Sequence, residues 1–310
     1  MQSRVRSTRA LSGLSTAELA QILRTDGVFL RIPPFVMNIR SPIPVVAQGL
    51  HALYPDCEVW TGEDIFADFH VSVKPKRHLL KTVCVFEMDG FQPFTPLAYD
   101  EAYAFLEWGM NWCVTSYCHT WITVHSAVLE RGGRVVILPA PPGSGKSTLC
   151  AALMLNGWRL LSDEMALLDP VSGLVTPSPR PVSLKNESIE VIRGLAPAAH
   201  FGPVARDTMK GTVCHLRVSP ESIALADESA RPAWVVFPRF KRAAALSVGN
   251  RPKAHALVEL ASNSFNHHVH GRSGFMAMAQ LVDECGCYDL QYGHLDEAIA
   301  WFSALADTPV

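Results

Sequence analysis

The 310-residue sequence has no long hydrophobic run and little charge. Its longest apolar stretches, such as 135–142 and 234–238, are far shorter than the roughly 20 residues that span a bilayer, so we expect no transmembrane helix and no membrane partner. Residues 1–15 lack the continuous apolar segment of a secretory signal, and we expect a cytoplasmic protein. The net charge of −2 at pH 7 provides no general attraction for nucleic acid.

Paired cysteine motifs are also missing. The eight cysteines have neither a CxxC pair nor paired zinc spacing, and lie at positions 57, 84, 113, 118, 150, 214, 285 and 287. Cys113 and Cys118 with His119, and Cys285 with Cys287, are close enough in sequence to raise a metal or redox site as an alternative. Because free cysteine is commonly a small buried hydrophobic residue, reduced thiols are the favoured interpretation.

The composition and length indicate a folded protein with two domains. Hydrophobic residues make up 48% of the chain and charged residues 18%, which is typical of globular proteins. The length exceeds the usual size of one domain, about 100 to 200 residues. We expect a small α+β N-terminal domain over residues 1–115 and an α/β catalytic domain over 116–310.

Local patterns predict the elements of both domains. Ser15 and Glu18 form a capping-box signal for a first helix that ends near Gly27. Runs of β-branched and aromatic residues predict early strands at 28–32, 35–39, 69–73 and 83–88. A helix over 99–118 joins the domains, and the second domain alternates strands and helices, which favours α/β layers. Its predicted strands are 121–129, 135–138, 160–161 and 288–292, and its predicted helices are 146–156, 273–284 and 295–305.

The segment from Ala140 to Thr148 carries the chemistry. A predicted strand leads into Pro142, Gly143, Ser144, Gly145, Lys146, Ser147 and Thr148, and a helix follows. This is a phosphate-binding loop in its required context, although Ala140 replaces the usual first glycine. The glycines permit backbone N–H groups to surround a phosphate, Lys146 can reach the β- and γ-phosphates, and Ser147 can bind Mg²⁺. The alternative is a chance Gly/Ser loop.

Two carboxylates and a histidine complete the candidate site. Asp163 and Glu164 end a predicted strand beyond the loop, where one acid can hold Mg²⁺ and the other can activate a nucleophile. We assign Asp163 to the metal and Glu164 to the base. Adjacent acids often mark only a solvated strand end. His125 lies on the strand before the loop hairpin, and a single strand histidine is more often structural than catalytic.

The segments His125–Val128, Pro142–Thr148 and Gly157–Glu164 resemble, in order and spacing, the C-terminal catalytic domain of HPr kinase/phosphorylase. The resemblance covers about residues 120–305 and is greatest to the HPr kinase-related kinase A branch, through Pro181–Asn186 and Thr208–Gly211. It implies a P-loop kinase core similar to that of phosphoenolpyruvate carboxykinase, ATP and Mg²⁺ as cofactors, and a homo-oligomer. It also implies that His125 lies at the active site. Glu164 departs from the family's second aspartate.

The resemblance further implies a kinase that transfers the γ-phosphoryl group of ATP to a hydroxyl. The acceptor would be a serine of a peptide, a carrier protein or a small molecule, because relatives are associated with peptide-modifying clusters. Lys185 and Lys210 are additional candidates for contact with phosphate or acceptor, with Arg239 and Arg242 as weaker ones. The alternatives are a reversible phosphorylase or carboxykinase-like enzyme, and a nucleotide-binding regulatory module without transfer.

Overall fold

A computed structural model describes residues 9–62, 65–78, 81–141 and 143–308. The fold is mixed α/β and divides into two units. The first unit contains the chain up to Val114 together with Ser183–Ile189 and Ala198–Arg217, and the second contains the remainder. The two later segments of the first unit lie within residues 116–310, which the sequence predicts to be the second domain.

The first unit is built on a mixed sheet. Ser15 caps its first helix, because Glu18 N donates to Ser15 Oγ at 3.2 Å and Ser15 N donates to Glu18 Oε2 at 2.8 Å. The strand order is β1-β4-β2-β3-β5-β6-β7. Its strands are β1 Arg9–Ala10, β2 Val28–Ile32, β3 Phe35–Arg40, β4 Glu58–Trp60, β5 Phe69–His78, β6 Lys81–Met88 and β7 Leu97–Ala98. Its helices are α1 Thr16–Arg24, α2 Pro44–Leu53 and α3 Ala102–Tyr117, whose last residues belong to the second unit.

Residues 122–176 belong to the second unit. Their elements are β8 Ile122–Val124, β9 Ser126–Arg131, β10 Arg134–Pro139, α4 Lys146–Leu155, β11 Arg159–Ser162, β12 Ala166–Leu168 and β13 Val175–Thr176. The chain then forms β14 Val182–Lys185, α5 Glu187–Leu195, β15 Ala205–Thr208 and β16 Gly211–Leu216. Strands β14, β16 and β15 form a small sheet in that order.

The remaining elements complete the central sheet of the second unit. They are α6 Pro220–Ala224, β17 Arg231–Phe240, β18 Ser247–Asn250, α7 Lys253–Ser262, α8 Gly271–Glu284, β19 Gly286–Tyr292 and α9 Leu295–Asp307. The sheet order is β11-β9-β10-β17-β19-β18. Strand β10 is central and its residues 135–139 are buried, as expected for a strand covered on both faces. Valines and isoleucines of β10 and β17 lie in one hydrophobic core with α7 and α8.

Most predicted elements are confirmed, with shifted ends. The predicted strand over 121–129 is wrong as a single strand, because it breaks at His125 into β8 and β9. Strand β8 pairs with β12 in a small sheet of order β13-β12-β8, whereas β9 pairs with β10 and β11 in the central sheet. His125 is therefore the point at which the chain passes from one sheet to the other. Among the described residues, no helix combines the length and apolar character required to cross a membrane.

Candidate functional site

One edge of the central sheet collects the candidate residues. Strands β10, β17 and β19 are parallel, so their carboxyl ends lie together. Strand β9 is antiparallel to β10, and its first residue, Ser126, lies opposite Pro139. Strand β11 is antiparallel to β9, which brings its carboxyl end to the same edge. Ligands of α/β sheets bind outside the carboxyl ends of the parallel strands, and this edge is where the loop after β10 begins.

Two left-handed glycines give the loop between β10 and α4 its shape. Gly143 has φ 85° and Gly145 has φ 88°, conformations that residues with a Cβ rarely adopt. Gly145 is also the N-cap of α4, so backbone N–H groups at the helix start add partial positive charge. A Cβ on Gly143 would meet no atom within 4 Å among the described residues, which indicates open space beside the loop. Pro142, also a predicted binding residue, lies outside the described residues.

Two aromatic residues that the sequence analysis did not predict as part of the site donate hydrogen bonds to carbonyl groups of this loop. Phe240 N, at the end of β17, donates to Ser144 O at 2.9 Å. The Tyr292 hydroxyl, at the end of β19, donates to Gly145 O at 3.1 Å. Burial raises the pKa of Tyr292, so the phenol remains a donor throughout the physiological range. A Cβ on Gly145 would lie 2.6 Å from Tyr292 Oη and 2.7 Å from Phe240 Cβ, so only glycine fits.

Lys146, His125 and Glu164 are brought together in a chain of contacts. Lys146 is buried, and its Nζ lies 2.9 Å from His125 Nε2. His125 Nδ1 lies 3.0 Å from the backbone oxygen of Glu164 and 3.8 Å from Glu164 Oε2. A carbonyl oxygen can only accept, so Nδ1 carries the proton and Nε2 accepts from the Lys146 ammonium. His125 therefore links the Lys146 side chain to the backbone of Glu164.

The two adjacent carboxylates occupy different surroundings. Asp163 is 3% exposed, whereas the Glu164 side chain is 31% exposed. Burial, and next the negative charge of Asp163, raise the pKa of the Cys150 thiol well above its usual value, while Lys146 opposes this shift. Cys150 lies one turn after Lys146 on α4. Asp163 therefore faces the helix that begins at the loop, and Glu164 is accessible beside His125.

Ser147 and Thr148 lie in the first turn of α4 and are half-buried. The described residues contain no cluster of three or more His, Cys, Asp or Glu side chains arranged for a metal ion. Mg²⁺ in nucleotide sites needs no such cluster, since one or two protein oxygens and the phosphate oxygens suffice. The Ser147 hydroxyl and the Asp163 carboxylate are oxygen donors of the kind that suits Mg²⁺. All eight cysteines are free and buried.

The segment between α7 and α8 also builds the site, although no sequence signal identified it. His125 N donates to Asn263 O at 2.8 Å, and Phe265 N donates to Thr123 O at 2.9 Å. Buried Asn266 accepts from Thr123 N at 2.8 Å through Oδ1. The Phe265 ring makes an edge contact with the His125 ring, with centroids 6.0 Å apart. These contacts fix His125 in place.

Lys185 and Lys210 belong to the first unit, whereas the loop between β10 and α4 belongs to the second. The two segments that contain them meet through Asn186, whose Nδ2 donates to Lys210 O at 3.3 Å and whose Oδ1 accepts from Thr212 N at 3.0 Å. Lys210 Nζ lies 5.4 Å from the centre of the Trp108 ring. Their predicted contact with phosphate or acceptor stays a prediction.

Arg239 and Arg242, by contrast, lie at the loop's own edge of the sheet. Arg239 is in the last part of β17, and Arg242 is in the turn that follows; both are exposed. Phe240 lies between them, and its backbone N–H donates to Ser144 O, so both arginines flank a residue that contacts the loop.

A scan against family models finds no model that matches, and a search of curated proteins finds no match. The geometry of the site and the sequence motifs are therefore the basis for assigning a function.

Proposed function

We propose that this protein is an ATP- and Mg²⁺-dependent phosphotransferase that moves the γ-phosphoryl group to a hydroxyl of a peptide, carrier protein or small molecule. The observation that carries the proposal is the loop after β10, in which two left-handed glycines, buried Lys146 and the start of α4 converge. This combination suits a triphosphate because N–H groups, helix dipole and ammonium all favour negative charge.

The second unit would then be a P-loop kinase core of the HPr kinase type. Its support is the placement of His125 and the pair Asp163 and Glu164 at the same sheet edge as the loop. The eight free cysteines support a reducing, cytoplasmic environment.

In the proposed reaction, each group of the site has one task. Lys146 binds phosphate oxygens and neutralises their charge in a poorly solvated position. Mg²⁺, held by Ser147 and Asp163, would supply further charge neutralisation on the transferring group. His125, held at Nδ1 by the Glu164 backbone oxygen, orients the Lys146 side chain through Nε2.

Glu164 is the better base of the two acids because its carboxylate is accessible, whereas Asp163 is buried against α4. Glu164 takes the proton from the acceptor hydroxyl as the new bond forms between the acceptor oxygen and the γ-phosphorus. The bond from the γ-phosphorus to the bridging oxygen breaks, and ADP leaves with that electron pair.

A labelling experiment tests this function. Purified protein is incubated with Mg²⁺, ATP labelled in the γ-phosphate, and extract separated into polypeptide and small-molecule fractions. Wild-type protein should transfer label to a distinct acceptor, and Lys146→Ala should transfer none. Nucleotide binding without transfer to any fraction would instead support a regulatory module. Equal labelling by the variant would remove the loop from the chemistry.

A further inference from the structure

Two exposed phenylalanines stand on opposite sides of the phosphate loop. Phe240 and Phe265 are each 44% exposed, so both rings are accessible to a ligand. Phe265 contacts His125, on the side of β9. Phe240 ends β17, on the other side of β10. An extended ligand that lies across the loop would therefore have one ring near each of its ends.

The positions of the carboxylates and His125 indicate which way a bound triphosphate would run along the sheet edge. Along the sheet edge, the carboxylates after β11 and His125 before β9 come first, the loop after β10 follows, and Phe240 after β17 comes last. A triphosphate whose γ-phosphate is next to Glu164 and His125 must extend its other end away from them. That direction leads across the loop toward Phe240.

Phe240 is fixed relative to the loop. Its N–H donates to Ser144 O at 2.9 Å, and the next residue, Lys241, donates from its N–H to Tyr292 O at 2.9 Å. Its ring packs on the buried Tyr292 ring, with centroids 5.6 Å apart. The neighbours Arg239 and Lys241 are exposed and positively charged. A rigid aromatic face flanked by cations, next to a phosphate site, suits a flat aromatic ring attached to phosphate.

We propose that Phe240 is the stacking platform for the nucleobase of the phosphoryl donor, and that the donor is therefore a nucleoside triphosphate rather than an inorganic polyphosphate. This inference depends on the proposed function, because it places the triphosphate on the loop after β10. Stacking uses the face of the base and not its edge, so adenine and guanine are accepted alike.

Binding titrations with two probes separate the base from the phosphates. The affinities of wild type, Phe240→Ala and Phe240→Trp are measured for Mg-ATP and for Mg-tripolyphosphate, with thermal unfolding recorded on the same preparations. Phe240→Ala should weaken ATP about tenfold to a hundredfold and leave tripolyphosphate unchanged, since loss of one stacked ring removes only the base contact. Phe240→Trp should retain ATP affinity. Phe275→Ala, which removes an exposed ring on α8, should bind both probes normally, and Phe265→Ala should lose less ATP affinity than Phe240→Ala.

The outcomes distinguish the base site from the proposed function. Tripolyphosphate binding as tight as ATP binding in the wild type, or equal losses of both probes in Phe240→Ala, would overturn the base site and leave the phosphate loop intact. A larger loss of ATP affinity in Phe265→Ala than in Phe240→Ala would reverse the direction of the ligand and refute the assignment. Failure of the wild type to bind either probe would overturn the proposed function together with this inference.

Discussion

His125 connects Lys146 to the segment that follows β11 and contains the two carboxylates. Its Nε2 contacts Lys146 Nζ and its Nδ1 contacts Glu164 O. We expect His125→Ala to lower turnover on the order of 10²-fold, as loss of one positioned polar group does. Single-turnover rate and thermal stability should be measured on one preparation. Exposed His255 on α7 provides the control, and His255→Ala should leave both values unchanged. A normal rate in His125→Ala would leave the histidine a purely structural role.

Asp163 and Glu164 are adjacent but should fail in different ways. Asp163→Asn should raise the Mg²⁺ concentration required for half-maximal rate, because the buried carboxylate is the one assigned to the metal. Ser147→Ala should act in the same direction. Glu164→Gln should slow the chemical step on the order of 10² to 10⁴-fold while keeping nucleotide affinity. A magnesium titration and single-turnover kinetics separate these effects, and the reverse pattern would exchange the two roles.

Gly143, Gly145 and Lys146 could be proposed from the sequence, because the P-loop motif specifies those residue types at that spacing. Phe240 and Tyr292 could not be proposed in this way. Tyr292 is separated from Gly145 by 147 positions, and only the parallel pairing of β19 with β17 brings it to the loop. No local sequence pattern predicts such a contact, because aromatic residues at the ends of strands are common whether or not they contact a loop.

At the scale of elements, the loop is a rigid connection supported by two strand ends. Gly145→Ala should weaken Mg-ATP binding at least tenfold, because the new Cβ meets Tyr292 and Phe240 and the backbone requires φ 88°. Gly133→Ala is the matched control: it has φ 79° and open surroundings in the β9–β10 hairpin. It should lose about 1 kcal/mol of stability from backbone strain and retain affinity. Calorimetric titration and urea unfolding measure both, and equal affinities for the two variants would contradict the account.

Several elements could be predicted and others could not, for identifiable reasons. Helix α1 has an explicit capping box, whereas α2 begins after Ile43 without a side-chain cap and was missed. Strand β17 was also missed, although it lies beside β10 in the central sheet, because Pro232 and Pro238 interrupt its apolar pattern. The break of the predicted strand at His125 depends on bonds to the distant α7–α8 segment.

At the scale of the whole molecule, buried thiols predict a loss of stability at high pH. Burial raises the pKa of Cys57 and of Cys285 from 9.0 to about 12. Between these values the unfolded chain loses protons that the folded chain keeps, so the free energy of unfolding falls as pH rises. Each thiol contributes up to about 1.4 kcal/mol per pH unit in that window, and its contribution is fully present below pH 9.

Urea unfolding at pH 8 and at pH 10.5 measures this effect. Because other groups also titrate there, the informative quantity is the difference between wild type and Cys57→Ala. The variant should lose less stability between the two pH values than the wild type. An identical loss in both proteins would show that the Cys57 thiol is not linked to unfolding.

The division into units also exceeded what the sequence could predict. Residues 183–189 and 198–217 return to the first unit, where β14 and β16 pair with each other and Asn186 joins their turns. Strands β14 and β16 are separated in sequence by α5 and a loop, and their pairing produces no hydrophobic periodicity that would mark a domain boundary. The boundary predicted near residue 115 corresponds only to the first passage of the chain from one unit to the other.

The central claim is that the loop after β10 binds a nucleoside triphosphate through Lys146. Its most direct test is a calorimetric titration of Mg-ATP into wild type, Lys146→Ala and Lys76→Ala, whose altered lysine is exposed in the first unit. We predict one site in wild type and in Lys76→Ala, and an affinity about a hundredfold lower in Lys146→Ala with unfolding temperature preserved, since a charge-assisted contact is lost. Equal affinity in the folded Lys146→Ala protein, or no binding by the wild type, would contradict the account.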